Sequence, residues 1–187
     1  MNAADILALL PLLVIAGTSV VVMLTIAAKR NHALVAGLTL IGLSAAFASI
    51  WAAVPLVPRQ VTSLLLVDRY ALFYIGLITA SAAAVAVLSY PYFKHRDVHR
   101  EELYLLLLFA TLGCAVLVAS SHFVSFLLGL EILSVSLYAM VAYLTDLKKP
   151  LEAGIKYLIL ASASAAFLLF GVALIYADAG SMAFSRI

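Results

Sequence analysis

"LYLLLLFATLGCAVLVASSHFVSFLLGLEILSVSLYAMVAYL", Leu103 to Leu144, is apolar for about 42 residues. As a single α-helix it would be about 63 Å long, twice the ~30 Å hydrocarbon core of a bilayer. It must therefore fold back on itself, and Ser120-Ser121-His122 is the polar interruption near its middle. The reading is two membrane spans, 103–119 and 123–144, joined by a tight turn. The second of them carries a carboxylate, Glu131, deep in its apolar run.

The rest of the chain is of the same kind. Of its 187 residues 66% are hydrophobic and 11% charged, against about 45–50% and 25% in soluble domains. So short a chain leaves about a third of its surface exposed, and no water-soluble fold would hide that much apolar side chain. A net charge of +2, with no basic patch interleaved with aromatics, gives no argument for nucleic acid. The single cysteine, Cys114, lies in an apolar run and forms no intrachain disulfide. The first apolar stretch carries Asp5 rather than a basic leader and runs to Ala28, so it reads as a retained helix and not a signal peptide.

Four further spans complete an all-α integral membrane protein. The first is 6–28, closed by Lys29 and Arg30. The second is 33–54, closed by Pro55 and Pro58, and the third is 70–90, opened by an Asp68 cap and stopped by Pro91. The last is 150–176, with Pro150 suited to a first helical turn and Asp178 and Gly180 beyond its end. The outer segment 55–69 reads either as a short strand or as an interfacial stretch. Orientation follows from the basic residues. With the N-terminus outside, Lys29, Arg30, Lys94, Arg96, Arg100, Lys148 and Lys149 lie inside, and Arg59, Arg69 and Arg186 outside.

No phosphate loop, serine-nucleophile motif or metal-ligand spacing is present. His32, His95, His99 and His122 all fall at span boundaries, where interfacial solvation accounts for them. Two charges within spans need more. Glu131 stands about eight residues from one end of its span and thirteen from the other, too deep to reach either surface. A charge at that depth costs at least ~2.5 kcal/mol. Ser134 and Tyr138, three and seven residues on, continue a polar stripe. Lys156 lies six residues past Pro150, about 9 Å into its span. Either it snorkels, with Glu152 four residues back as ion-pair partner, or it is functional. Burial raises a carboxyl's pKa and lowers an amine's, and a nearby opposite charge does the reverse. An acid and an amine in one apolar interior are thus suited to exchanging protons. Ala161–Ala166, ASASAA, reads as packing surface, with Ser162 and Ser164 as hydrogen-bond donors.

The segments "HFVSFLLGLEILSVSLYAMVAYL" and "LEAGIKYLILASASAAFLLFGVALIYADAGS" resemble the antiporter-like membrane subunits of the proton-pumping NADH:quinone oxidoreductase, respiratory complex I. The resemblance is strong over Phe123–Ser181 and earlier lies mainly in the helix pattern. It implies that Glu131 matches the family's fifth-helix glutamate and Lys156 a lysine on its polar axis, both in proton translocation, with Ser134, Tyr138 and Ser162 in support. It implies no cofactor in this chain, with NADH, FMN, iron–sulfur clusters and quinone held by partner subunits of the complex. A multi-pass place in the bacterial inner membrane follows. Family members are longer, and a lysine on their seventh helix pairs with the matched glutamate. Gly180–Ser185 reads like a continuing loop, so the chain is expected to be the N-terminal part of a longer polypeptide, within a larger antiporter-like helical fold. A subunit of a multi-subunit cation/proton antiporter, or a purely structural membrane scaffold, are the alternatives.

Overall fold

The computed structural model describes residues 2–94, 100–144 and 148–187. The order of elements is α1 (Ala3–Ala8), α2 (Leu10–Ala28), α3 (His32–Ala53), a two-stranded antiparallel hairpin of β1 (Arg59–Gln60) and β2 (Leu66–Val67), then α4 (Arg69–Lys94), α5 (Glu102–Val118), α6 (Phe123–Val141) and α7 (Lys148–Ala179). Among the described residues α2, α4, α6, α7 and α3 with the turn after it are long and apolar enough to cross a membrane. The fourth expected span, 103–119, is α5, a shorter apolar helix of 17 residues, about 26 Å at 1.5 Å per residue.

Four expected boundaries shift, each for a local reason. The first span is divided at Leu9, because Pro11 lacks an N–H and its ring crowds the carbonyl four residues back. Pro91 does not stop α4, which runs three residues further, to Lys94. A proline removes one hydrogen bond, and here the turn beyond it has a packing partner. Phe93 is buried and meets Tyr143 edge-on at 5.8 Å. The fifth span ends at Val141 rather than 144, because Tyr143 turns back toward the start of α5. The last span extends past Asp178 to Ala179 and ends at Gly180, whose φ of 64° suits a glycine after a helix. Asp68 caps α4 as expected, its Oδ1 accepting the Ala71 N–H at 2.6 Å.

The hairpin resolves the 55–69 segment as strand, and it is part of a larger plate. Leu66 N–H donates to the Ala119 carbonyl and Ser121 N–H to Leu64, both in the turn between α5 and α6. That turn also receives the chain after α7, through Phe123 N–H to Met182 and Phe184 N–H to Ser121. The Arg59 guanidinium pairs with Asp5 on α1 at the same end. The Asn2 backbone N–H, ahead of Arg59, holds the Asp5 carboxyl below the usual carboxylate range.

The opposite end is tied by side chains. His32 stacks on Tyr90 at 4.6 Å and meets the Tyr104 hydroxyl at 3.0 Å, while Arg30 pairs with Glu102 at 3.1 Å. Between the two ends, Val22, Val35, Leu43, Ala86, Tyr104 and Leu108 form a core shared by α2 to α5.

Candidate functional site

The position of Glu131 is set by how α5 and α6 meet. Gly113 and Gly129 put the two backbones in direct contact, so that a Cβ on Gly113 would lie 2.6 Å from the Leu133 nitrogen. On α6 the buried residues Ser125, Gly129 and Ser136 recur at helical spacing and face α5. Val124, Leu128, Glu131 and Val135 recur at the same spacing on another face and are all exposed. Glu131 is the ninth residue of nineteen in α6, about 12 Å from one end and 15 Å from the other. It makes no hydrogen bond or ion pair among the described residues, and no described helix covers its face.

The third face of α6 looks at α7. Gly154 of α7 packs against Ala142, where a Cβ would lie 2.5 Å from the alanine Cβ. Away from that contact the helices part, leaving a groove of about 490 Å³ lined by Leu130, Ser134, Tyr157, Leu160, Ala161 and Ser164 among others. Ser134 therefore faces the groove one turn from Glu131. Tyr138 is half-buried, and Ser162 points away from the groove while Ser164 lines it. Lys156 is exposed and pairs with Glu152 at 2.5 Å across one turn of α7. The structure brings Ser134 and Ser164 to one groove and leaves Glu131 and Lys156 without a direct contact.

A second polar constellation escaped the reading of single residues. His32, assigned to interfacial solvation, is partly buried between Tyr90 and Tyr104. Beside it the Leu103 N–H donates to the Tyr143 hydroxyl at 3.0 Å. Burial, then the nearby Glu102 carboxylate, holds the Tyr143 phenol above the usual tyrosine range. Two tyrosines and a histidine at neighbouring span ends were the available signal.

The family described as NADH:quinone oxidoreductase/Mrp antiporter, TM, matches residues 120–187, which take in α6 and α7 whole. A NADH-quinone oxidoreductase subunit N of Ectopseudomonas mendocina (strain ymp) is 47% identical over 191 residues, covering 100% of this chain and 39% of that protein. A chain of respiratory complex I from Thermus thermophilus with bound Aureothin matches with a TM-score of 0.80 at 31% identity, over 92% of this chain and 38% of its own length. A chain of the membrane-bound sulfane sulfur reductase, an archaeal respiratory membrane complex, matches with a TM-score of 0.74 at 21% identity. It covers 98% of this chain and 39% of that one, and is a likeness of fold alone. The chain thus spans 39% of the length of the curated relative it matches, and the resemblance read from its own residues extends over all of it.

Proposed function

We propose, from the premise that this chain has the fold of the antiporter-like membrane subunits of complex I and much of the sequence of a subunit N, that it carries part of a transmembrane proton path in an NADH:quinone oxidoreductase. Glu131 takes up and releases the proton, and Lys156 is its relay partner on α7. Ser134 and Tyr138 support the path, with Ser164 facing Ser134 across the groove. NADH, FMN, iron–sulfur clusters and quinone belong to partner subunits, and the free energy of their electron transfer reaches this chain by conformational and electrostatic coupling. The complex sits in the bacterial inner membrane, with both ends of this chain facing outward.

The observation that carries the reading is the depth of Glu131, halfway along a membrane-spanning helix. A carboxylate turned to lipid there costs ~2.5 kcal/mol or more. In the assembled protein its face is therefore covered by further helices or by water, and the Ser134 groove beside it offers room for water. Ser134, Tyr157 and Ser164 are its polar lining among leucines and alanines, and an ordered water needs two to four such partners. Lys156 is separated in depth from Glu131 and neither lines the groove, so transfer between them needs water or groups beyond it.

The test is Glu131→Gln in the complete, assembled complex. NADH oxidation coupled to proton pumping should drop sharply while the complex assembles normally. Unchanged pumping sinks the assignment. The second reading, a subunit of a cation/proton antiporter, is the other class that the family description names. Co-purification separates them. Flavin and iron–sulfur absorbance accompany the redox complex, and sodium-dependent transport without those cofactors marks the antiporter.

A further inference from the structure

α3 and α4 pack together near the hairpin end of the bundle. They leave an open groove of about 340 Å³ that is almost wholly apolar. Phe47, Ile50 and Trp51 of α3 form one wall, and Phe73, Gly76 and Leu77 of α4 form the other. Gly76 makes the floor, since a Cβ there would lie 3.3 Å from Ile50 Cδ1 and 3.6 Å from the Phe47 ring. Any larger side chain would fill the space.

The mouth differs in chemistry from the floor. Arg69, the first residue of α4, precedes Leu72 and Phe73 by three and four residues and so stands over the groove, one turn toward the end. It is exposed and makes no ion pair or hydrogen bond among the described residues. Tyr70 and Trp51 are 77% and 67% exposed beside it, an arrangement of aromatics suited to the headgroup level. From Arg69 to Ala80, the last lining residue, α4 rises about 16 Å, half the ~30 Å hydrocarbon core. The groove therefore has the depth of one leaflet, an apolar lining and a cation at its interfacial mouth.

We propose that this groove is a phospholipid site, with one acyl chain lying along Gly76 and the headgroup phosphate on the Arg69 guanidinium. Charge complementarity selects the occupant. A transmembrane helix of another protein would fill the apolar part and leave Arg69 without an anion. The guanidinium donates to a phosphate bidentately, and anionic headgroups are preferred over zwitterionic ones because no carboxylate among the described residues forms an ion pair with Arg69.

The experiment is photo-crosslinking in membranes containing the whole complex, with phosphatidylglycerol carrying a photoreactive group near the end of one acyl chain. Peptide mapping should find label on the Phe47–Trp51 and Phe73–Ala80 segments several-fold above the equally exposed Phe167 and Phe170 of α7. Gly76→Leu should abolish that excess. Arg69→Gln, an exposed change that leaves the packing untouched, should lower it several-fold and remove the preference for phosphatidylglycerol over phosphatidylcholine. Even labelling of the groove and α7, or an excess indifferent to Arg69, overturns the assignment. So does a groove that takes no label because a neighbouring subunit fills it.

Discussion

Gly113 and Gly129 stand opposite each other on α5 and α6, so close that a Cβ on Gly129 would lie 3.0 Å from the Gly113 carbonyl oxygen and 2.9 Å from the Leu117 nitrogen. Both atoms belong to helical backbone and have no soft way to give. Gly129 lies two residues from Glu131, so this contact fixes which way the acid faces. Gly129→Leu should force the helices apart at a cost of about 1–3 kcal/mol or more. The expected result is a lower melting temperature of the subunit in the complex and reduced assembly on native gels, with little change for the exposed neighbour Leu128→Ala.

Lys156 offers a cleaner separation of charge from proton exchange. Arginine in its place keeps the positive charge and the reach to Glu152, yet it does not release a proton in proteins. Lys156→Arg should therefore preserve assembly and impair pumping. Breaking the exposed Glu152 pair by Glu152→Ala should change stability by less than ~0.5 kcal/mol, as surface i,i+4 pairs do. Pumping that survives Lys156→Arg at full rate would return this lysine to an interfacial role.

The Asp5–Arg59 pair ties α1 to the hairpin, and its pH dependence has a definite sign. The folded carboxyl holds its proton less tightly than the unfolded one. Its contribution is therefore complete above the ordinary carboxylate pKa and is lost as pH falls through the lowered value. The protection of the Gln60 and Leu66 amides, taken relative to their intrinsic exchange rate at each pH, should fall in acid, and Arg59→Gln should flatten that response. An acid-insensitive hairpin in the unaltered protein would count against the pair.

Tyr143 behaves in the reverse sense. Its phenol is raised, so the folded state keeps the proton longer than the unfolded chain. Stability is whole below the usual tyrosine pKa and declines as pH climbs beyond it. Tyr143→Phe removes the acceptor of the Leu103 N–H and should cost ~1–2 kcal/mol, read as an earlier thermal transition.

The helices were legible because apolar length alone counts membrane crossings, and the run from Leu103 to Leu144 left no option but a turn at Ser120–His122. The extra turn of α4 beyond Pro91 was not legible, because it depends on Phe93 meeting Tyr143, which is remote in sequence. The hairpin segment stayed open between a short strand and an interfacial stretch for a similar reason. Each of its strands has two residues, too few to show alternation, and it is held by the pairing of Leu64–Leu66 with Ala119–Ser121, which are remote in sequence. At the site, the depth of Glu131 could be counted from the sequence, but its facing could not, since that is decided by Gly113 on another helix. His32 shows the same limit, because its hydrogen-bond partner lies 72 residues away.

Ser121 donates its N–H to the Leu64 carbonyl and accepts the Phe184 N–H on its own carbonyl, so one residue rivets the hairpin to the chain leaving α7. Mechanically, the rim of the bundle is then a stiff collar. Displacing the chain that leaves α7 would load hydrogen bonds that continue through Ser121 and Leu64 toward the start of α4.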